Sequence, residues 1–176
     1  MDASSIALLD SVVEDASVAL FASIGLSLSR EADSAKSPDD MGASIGFAGP
    51  ELRGALVLIS TRKLVRLALP REVQDRSSDE QLADWMGELA NQLLGRIKNK
   101  LIAYGVNLAM GTPAVMLGLD LARKDRHRGV RRQFSFRHAE EALSVYLDAV
   151  APAEFKLKVP SVPPVGGIVE GDVAFF

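Results

Sequence analysis

Residues 79–104 read DEQLADWMGELANQLLGRIKNKLIAY, a run without proline and rich in Leu, Ala, Met, Gln and Glu, all of which favour the α-helix. Ser77 followed by Glu80 offers a capping-box start, and Gly105 offers a stop. At about 100° per residue, Leu82, Met86, Leu89, Leu93 and Ile97 fall on one narrow stripe that has to face a core. Asp84, Glu88, Asn91 and Gly95 gather on the opposite side, within roughly 60° of one another. Any fold for this chain has to cover the first set and leave the second in the open.

The outward set has a chemical reading. Glu88 and Asn91 stand three apart, so they are surface neighbours and can touch one bound object. A carboxylate can pair with a partner's lysine. A carboxamide offers a donor and an acceptor without ionising, so it can hold a water in a set orientation. Gly87 and Gly95 flank the pair, and each costs about 1 kcal/mol relative to Ala in a helix interior. Glycines kept there point to the close approach of another backbone. The plainer alternative is an ordinary solvated helix face.

The rest of the chain frames that helix. Residues 5–25 form a second amphipathic pattern, with Ile6, Leu9, Val13, Ala16, Leu20 and Ile24 inward. Its outward row, Asp10, Glu14, Ser17 and Phe21, repeats the spacing of the later row at a displacement of 74, from 10 to 84. Residues 30–42 read as a loop, and 44–47 with 54–60 as a hairpin around Gly49-Pro50. Thr61 caps a short helix over 62–69 that Pro70 ends, and 71–78 is linker. VNLAM (106–110) and AVMLGL (114–119) are strands broken by Gly111-Thr112-Pro113. Residues 120–132 are a loop rich in arginine, either a basic rim or a solvated connector. VRRQFSFR (130–137) alternates as a strand, and HAEEALSVYLDAV (138–150) reads as a helix. The sequence thus repeats helix, strands, short helix twice, over 5–69 and 79–150.

Composition sets limits. With 176 residues there is room for one well-buried core, taken as a domain over 1–151 with a Pro/Gly-rich tail over 152–176 that ends in Phe175-Phe176. A net charge of −3 argues against a nucleic-acid binder. There is no cysteine, and His127 and His138 have no carboxylate cluster beside them, so no intrinsic metal site is expected. Residues 6–28 carry Asp10, Glu14 and Asp15, which argues against a signal peptide or a membrane span and for a cytoplasmic protein.

Asp84-x-x-x-Glu88-x-x-Asn91 with Pro113 some twenty residues on resembles the signature of the CheC/CheX family of chemotaxis phosphatases. The gap to Pro113 is one residue shorter than the family's usual form, and the order of elements is similar over roughly residues 5–150. The resemblance implies an α+β fold of two pseudo-repeated halves, with long helices on one face of a mostly antiparallel sheet. It implies a phosphatase of a phospho-aspartyl response regulator of the CheY type. Glu88 then meets the regulator's active-site lysine, and Asn91 orients the attacking water. Asp84, Gly87 and Gly95 shape docking, and Pro113 has a structural role. Mg²⁺ belongs to the regulator, so this chain needs no cofactor, and pairing through sheet edges makes a homodimer an expectation. Only the second helix carries Glu and Asn together, so the first holds no working site. The alternative is a regulator-binding or adaptor module of the same fold without hydrolysis. A small-phosphoester hydrolase is disfavoured, since the chain has no P-loop, no cysteine nucleophile and no metal set.

Overall fold

The computed structural model describes residues 1–31, 40–118, 129–152 and 154–158. Helix α4 (Asp79–Ile102) is the long helix expected from the sequence, about 36 Å long at the usual rise per residue. Its capping box lies one residue later than the sequence suggests. The Ser78 hydroxyl accepts from the Gln81 N–H, and the Gln81 side chain accepts from the Ser78 N–H. Ser77 instead donates to the Gln74 carbonyl and accepts from Arg66, which ties it to the preceding segment. Gly105, at φ +79°, lets the chain turn so that the Val106 N–H reaches back to the Leu101 carbonyl.

Helix α1 (Ala3–Ser23) starts on Asp2, whose carboxylate accepts from the Ser5 N–H, and ends by the same device as α4. Gly25, at φ +82°, is followed by Leu26, whose N–H returns to the Phe21 carbonyl. The outward row expected on this helix is wrong in part. Ser17 and Phe21 are fully buried. The Ser17 hydroxyl donates to the Val13 carbonyl, so it needs no water. The helices correspond by burial at a displacement of 77, not 74. Residues 5, 9, 12, 13, 16, 17 and 20 are buried, as are 82, 86, 89, 90, 93, 94 and 97. On that register Ser11 and Glu14 occupy the positions of Glu88 and Asn91.

Among the described residues, seven strands make one sheet. They are β1 (Ser29–Glu31), β2 (Asp40–Ala48), β3 (Arg53–Thr61), β4 (Ala109–Met110), β5 (Ala114–Leu117), β6 (Val130–His138) and β7 (Glu141–Val150). The expected helix over 138–150 is a strand. Glu141, Leu143, Val145, Leu147 and Ala149 alternate onto the buried face, and that period of two wins over the helix-favouring Ala, Glu and Leu content. The stretch read as a loop over 30–42 contributes β1 and the start of β2. Two short helices, α2 (Arg62–Leu67) and α3 (Arg71–Gln74), join β3 to α4, so the expected linker contains a helical turn. Thr61 caps α2 as its position suggests, accepting from the Leu64 N–H.

The strand order is β1-β6-β7-β3-β2, with β4 and β5 both paired to the outer side of β2, and every pairing is antiparallel. β1, β2 and β3 correspond to β5, β6 and β7. The opening strand of each half pairs with the hairpin of the other, and β3 pairs with β7 at the centre. This is the two-half α+β arrangement, with its halves interlocked and, among the described residues, without a short helix after β7. Leu56, Leu58, Val145 and Leu147 meet the apolar stripes of α1 and α4 in one core.

The segment 154–158 is part of the body rather than a free tail. Leu157 is buried, its N–H donates to the Ser5 hydroxyl, and the Lys158 N–H donates to the Tyr104 carbonyl. Phe175, Phe176, His127 and most of the arginine-rich loop lie outside the described residues.

Candidate functional site

The periodicity of α4 decides what it offers to solvent. Its core side is sealed by Leu82, Met86, Leu89, Leu93 and Ile97, each at most 1% exposed. Asp84 and Glu88 are exposed, and Asn91 and Gly95 are half-buried on the same row. The Glu88 carboxylate accepts a hydrogen bond of 2.8 Å from the Gln92 amide one turn on, which limits its rotamers. No cation pairs with Asp84 or Glu88 among the described residues, and the Asn91 carboxamide has no hydrogen-bond partner there. A free amide and a held carboxylate thus stand side by side, able to accept from a cation and to bridge a water.

The two glycines separate. A Cβ on Gly95 would meet nothing within 4 Å, so its own fold does not require the small residue. Gly87, expected at the docking face, is buried and turned away from the row. A Cβ there would lie 3.4 Å from Val115 Cγ2 and 3.6 Å from Pro113 Cγ. Pro113, distant in sequence, therefore packs on α4 directly beside Glu88, at the head of β5. Asp84, Glu88, Asn91 and Gly95 are brought together, while Gly87 and Pro113 form the joint behind them.

Sequence reasoning missed two features. Gln92 was readable as the i+4 partner of Glu88. The other is a hollow of about 290 Å³ between α3 and α4, lined by Leu69, Val73, Trp85, Asp84 and Glu88 among others. It exists only because α3 folds back beside α4, and no local pattern encodes that.

The corresponding face of α1 is built differently. Glu14 pairs with Arg30, whose guanidinium lies over the rings of Phe134 and Phe136, and Asp10 pairs with Arg132. Its acids are engaged with the chain's own cations, whereas those of the α4 row meet none among the described residues.

Among the described residues no group of histidines, cysteines and carboxylates could hold a metal ion, and no helix is long and apolar enough to cross a membrane.

A family model described as chemotaxis phosphatase CheX matches residues 41–137, which contain the whole row and Pro113. No curated protein matches the chain. The structure of chemotaxis protein CheX from Vibrio vulnificus aligns with a TM-score of 0.72 at 18% identity, covering 81% of this chain and 96% of that one. A CheC-like superfamily protein from Shewanella sp. PV-4 aligns with a TM-score of 0.72 at 20% identity, over 86% of this chain and 100% of that one. The CheX-CheY-BeF3-Mg+2 complex from Borrelia burgdorferi aligns with a TM-score of 0.62 at 14% identity, over 79% and 96%. At such identities the likeness is one of fold.

Proposed function

The chain belongs to the chemotaxis phosphatase CheX family, and on that premise we propose that it hydrolyses the aspartyl phosphate of a CheY-type response regulator. The observation that carries this reading is the pairing of a free Asn91 carboxamide with a Gln92-held Glu88 carboxylate on the open side of α4. The Borrelia burgdorferi relative in complex with CheY, BeF3 and Mg²⁺ supports the kind of partner. A cytoplasmic setting follows from that partner.

The division of labour follows from chemistry. Glu88 pairs with the regulator's lysine and fixes the orientation of docking. Asn91 enters the regulator's pocket, where its carbonyl accepts from a water and its amide donates to a phosphoryl oxygen. The water oxygen then lies in line with the bond from phosphorus to the aspartyl oxygen. As the new P–O bond forms that bond breaks, and the aspartate leaves as a carboxylate. The regulator's own acidic pocket holds the Mg²⁺. This chain contributes position and the exclusion of bulk water, effects commonly worth 10²-fold or more in rate. Asp84 shapes the docking surface, and Pro113 braces the helix from behind.

The test is release of inorganic phosphate from a phosphorylated regulator. Asn91→Ala is expected to lose 10²-fold or more of the added rate, about 3 kcal/mol, with the fold intact and binding reduced far less. Glu88→Ala is expected to weaken both binding and rate, because its carboxylate meets a cation at a desolvated centre. If wild type and Asn91→Ala release phosphate equally slowly while both still bind, the chain is a regulator-binding module instead.

A further inference from the structure

The N-terminal half of α4 borders more than the Asn91 row. Leu69, Val73 and Trp85 form an apolar floor between α3 and α4, and Asp84 and Glu88 rise along its edge. Leu69 and Trp85 also line an adjoining hollow of about 550 Å³, with Ile24, Leu67, Pro70 and Arg71. Leu67 is 36% exposed and Val73 40%, though both are apolar. The Trp85 indole N–H is shielded from water with no acceptor, a state that costs about 1–3 kcal/mol.

The rim carries a second signal. Glu80, Asp84 and Glu88 stand four apart on one line, all exposed, with no basic partner among the described residues. Like charges at that spacing cost the helix a few tenths of a kcal/mol per pair, roughly 0.2–0.5. The row leads directly to Asn91, and Asp84 and Glu88 belong to both the row and the groove. Glu88 stands one turn from Asn91 and also lines the groove, so a body docked on Asn91 lies within reach of it.

We propose that this groove is the second half of the regulator's docking surface. An apolar side chain of the response regulator seats between Val73 and Trp85, and a basic residue beside it lies over Glu80 and Asp84. The inference rests on the reading given under Proposed function, and adds to the Asn91 contact a recognition element that selects the regulator.

Trp85 is the single tryptophan of the chain, so its indole N–H gives one assignable cross-peak in a ¹⁵N-labelled sample. The probes are the CheY-type receiver domains encoded in the same genome, unlabelled, each loaded with beryllofluoride and Mg²⁺, with binding followed in parallel by calorimetry. The expected result is that the cognate domain moves the Trp85 cross-peak at saturation. Val73→Lys, a change at an exposed site on α3, is expected to raise Kd and KM tenfold or more while the saturated complex still releases phosphate. Asn91→Ala is expected to keep the cross-peak shift and lose the release. A regulator that binds and is dephosphorylated while the cross-peak stays at its free position overturns the groove and leaves the phosphatase reading standing. Binding with the shift but without release overturns the phosphatase reading and leaves the groove. Binding by no receiver domain overturns both. A cross-peak that moves on simple dilution of the chain assigns the groove to a second copy and also overturns the proposal.

Discussion

Gly95 is the residue at which local stability and function pull apart. In a helix interior it costs about 1 kcal/mol relative to Ala, and a Cβ there would touch nothing of this chain. Gly95→Leu is therefore expected to raise the urea midpoint, because Leu is a strong helix former and the site is open. The same change is expected to abolish regulator binding by bulk alone. A variant that is more stable and still binds would remove Gly95 from the docking face. Glu141 is a different case, in which a single carboxylate joins two elements. It accepts from the Thr61 hydroxyl at 2.6 Å and pairs with Lys63 at 2.8 Å, so it ties the start of β7 to the start of α2. Lys63, and then Thr61, hold its carboxyl below its ordinary value. A depressed folded-state value means that the contribution is present above the unfolded pKa, roughly 4.3, and is lost as pH falls through the folded value. Glu141→Gln should be less stable than wild type at neutral pH, and the difference should close below about pH 4. Urea unfolding over a pH series measures it, and a gap that persists unchanged into acid would contradict the assignment.

At the scale of elements, the start of α4 gives a sharp test between two adjacent serines. Ser78 and Gln81 satisfy each other's backbone N–H groups, whereas Ser77 bonds away from the helix. Ser78→Ala is expected to cost about 1 kcal/mol, and Glu80→Ala much less, in equilibrium unfolding. α4 was legible because its 3.6-residue period persists over many turns, so chance coincidences average out. β7 was not, because a ten-residue stretch rich in Ala, Leu and Val satisfies both periods loosely. What decides between them is the pairing of Leu56 with Leu147, a contact remote in sequence, together with the hairpin pairing of Phe134 with Val145. The row on α1 misled for a related reason. Ser17 looks like a surface residue, but its hydroxyl bonds to its own helix, and Phe21 faces the core on the edge of a stripe wider than spacing alone suggests. Of the candidate site, the exposure of Asp84 and Glu88 could be read from one helix. The place of Gly87 against Pro113, and the groove at Trp85, depend on how β5 and α3 pack back, which single-element patterns do not encode.

For the whole molecule, the exchange of opening strands between halves governs how it can be divided. β1 completes its pairing on β6, and β5 on β2. Residues 1–76 and 77–176, made separately, are each expected to lack the cooperative unfolding transition of the intact chain. Mixed, they are expected to regain it, because the surfaces they bury are complementary. A native-like melt from either piece alone would show that the halves are independent. The segment 154–158 adds a further tie, since it reaches the N-terminal end of α1 and the C-terminal end of α4 together. β7 has a second consequence, for synthesis. It lies in the middle of the sheet yet is the last of the described strands to leave the ribosome. A nascent chain stalled before β7 has made α4 and the strands it packs on, β2, β3 and β5, but lacks the strand that joins β3 to β6. Prematurely ended products are therefore expected to carry an open sheet, with β6 and β1 unattached to β3.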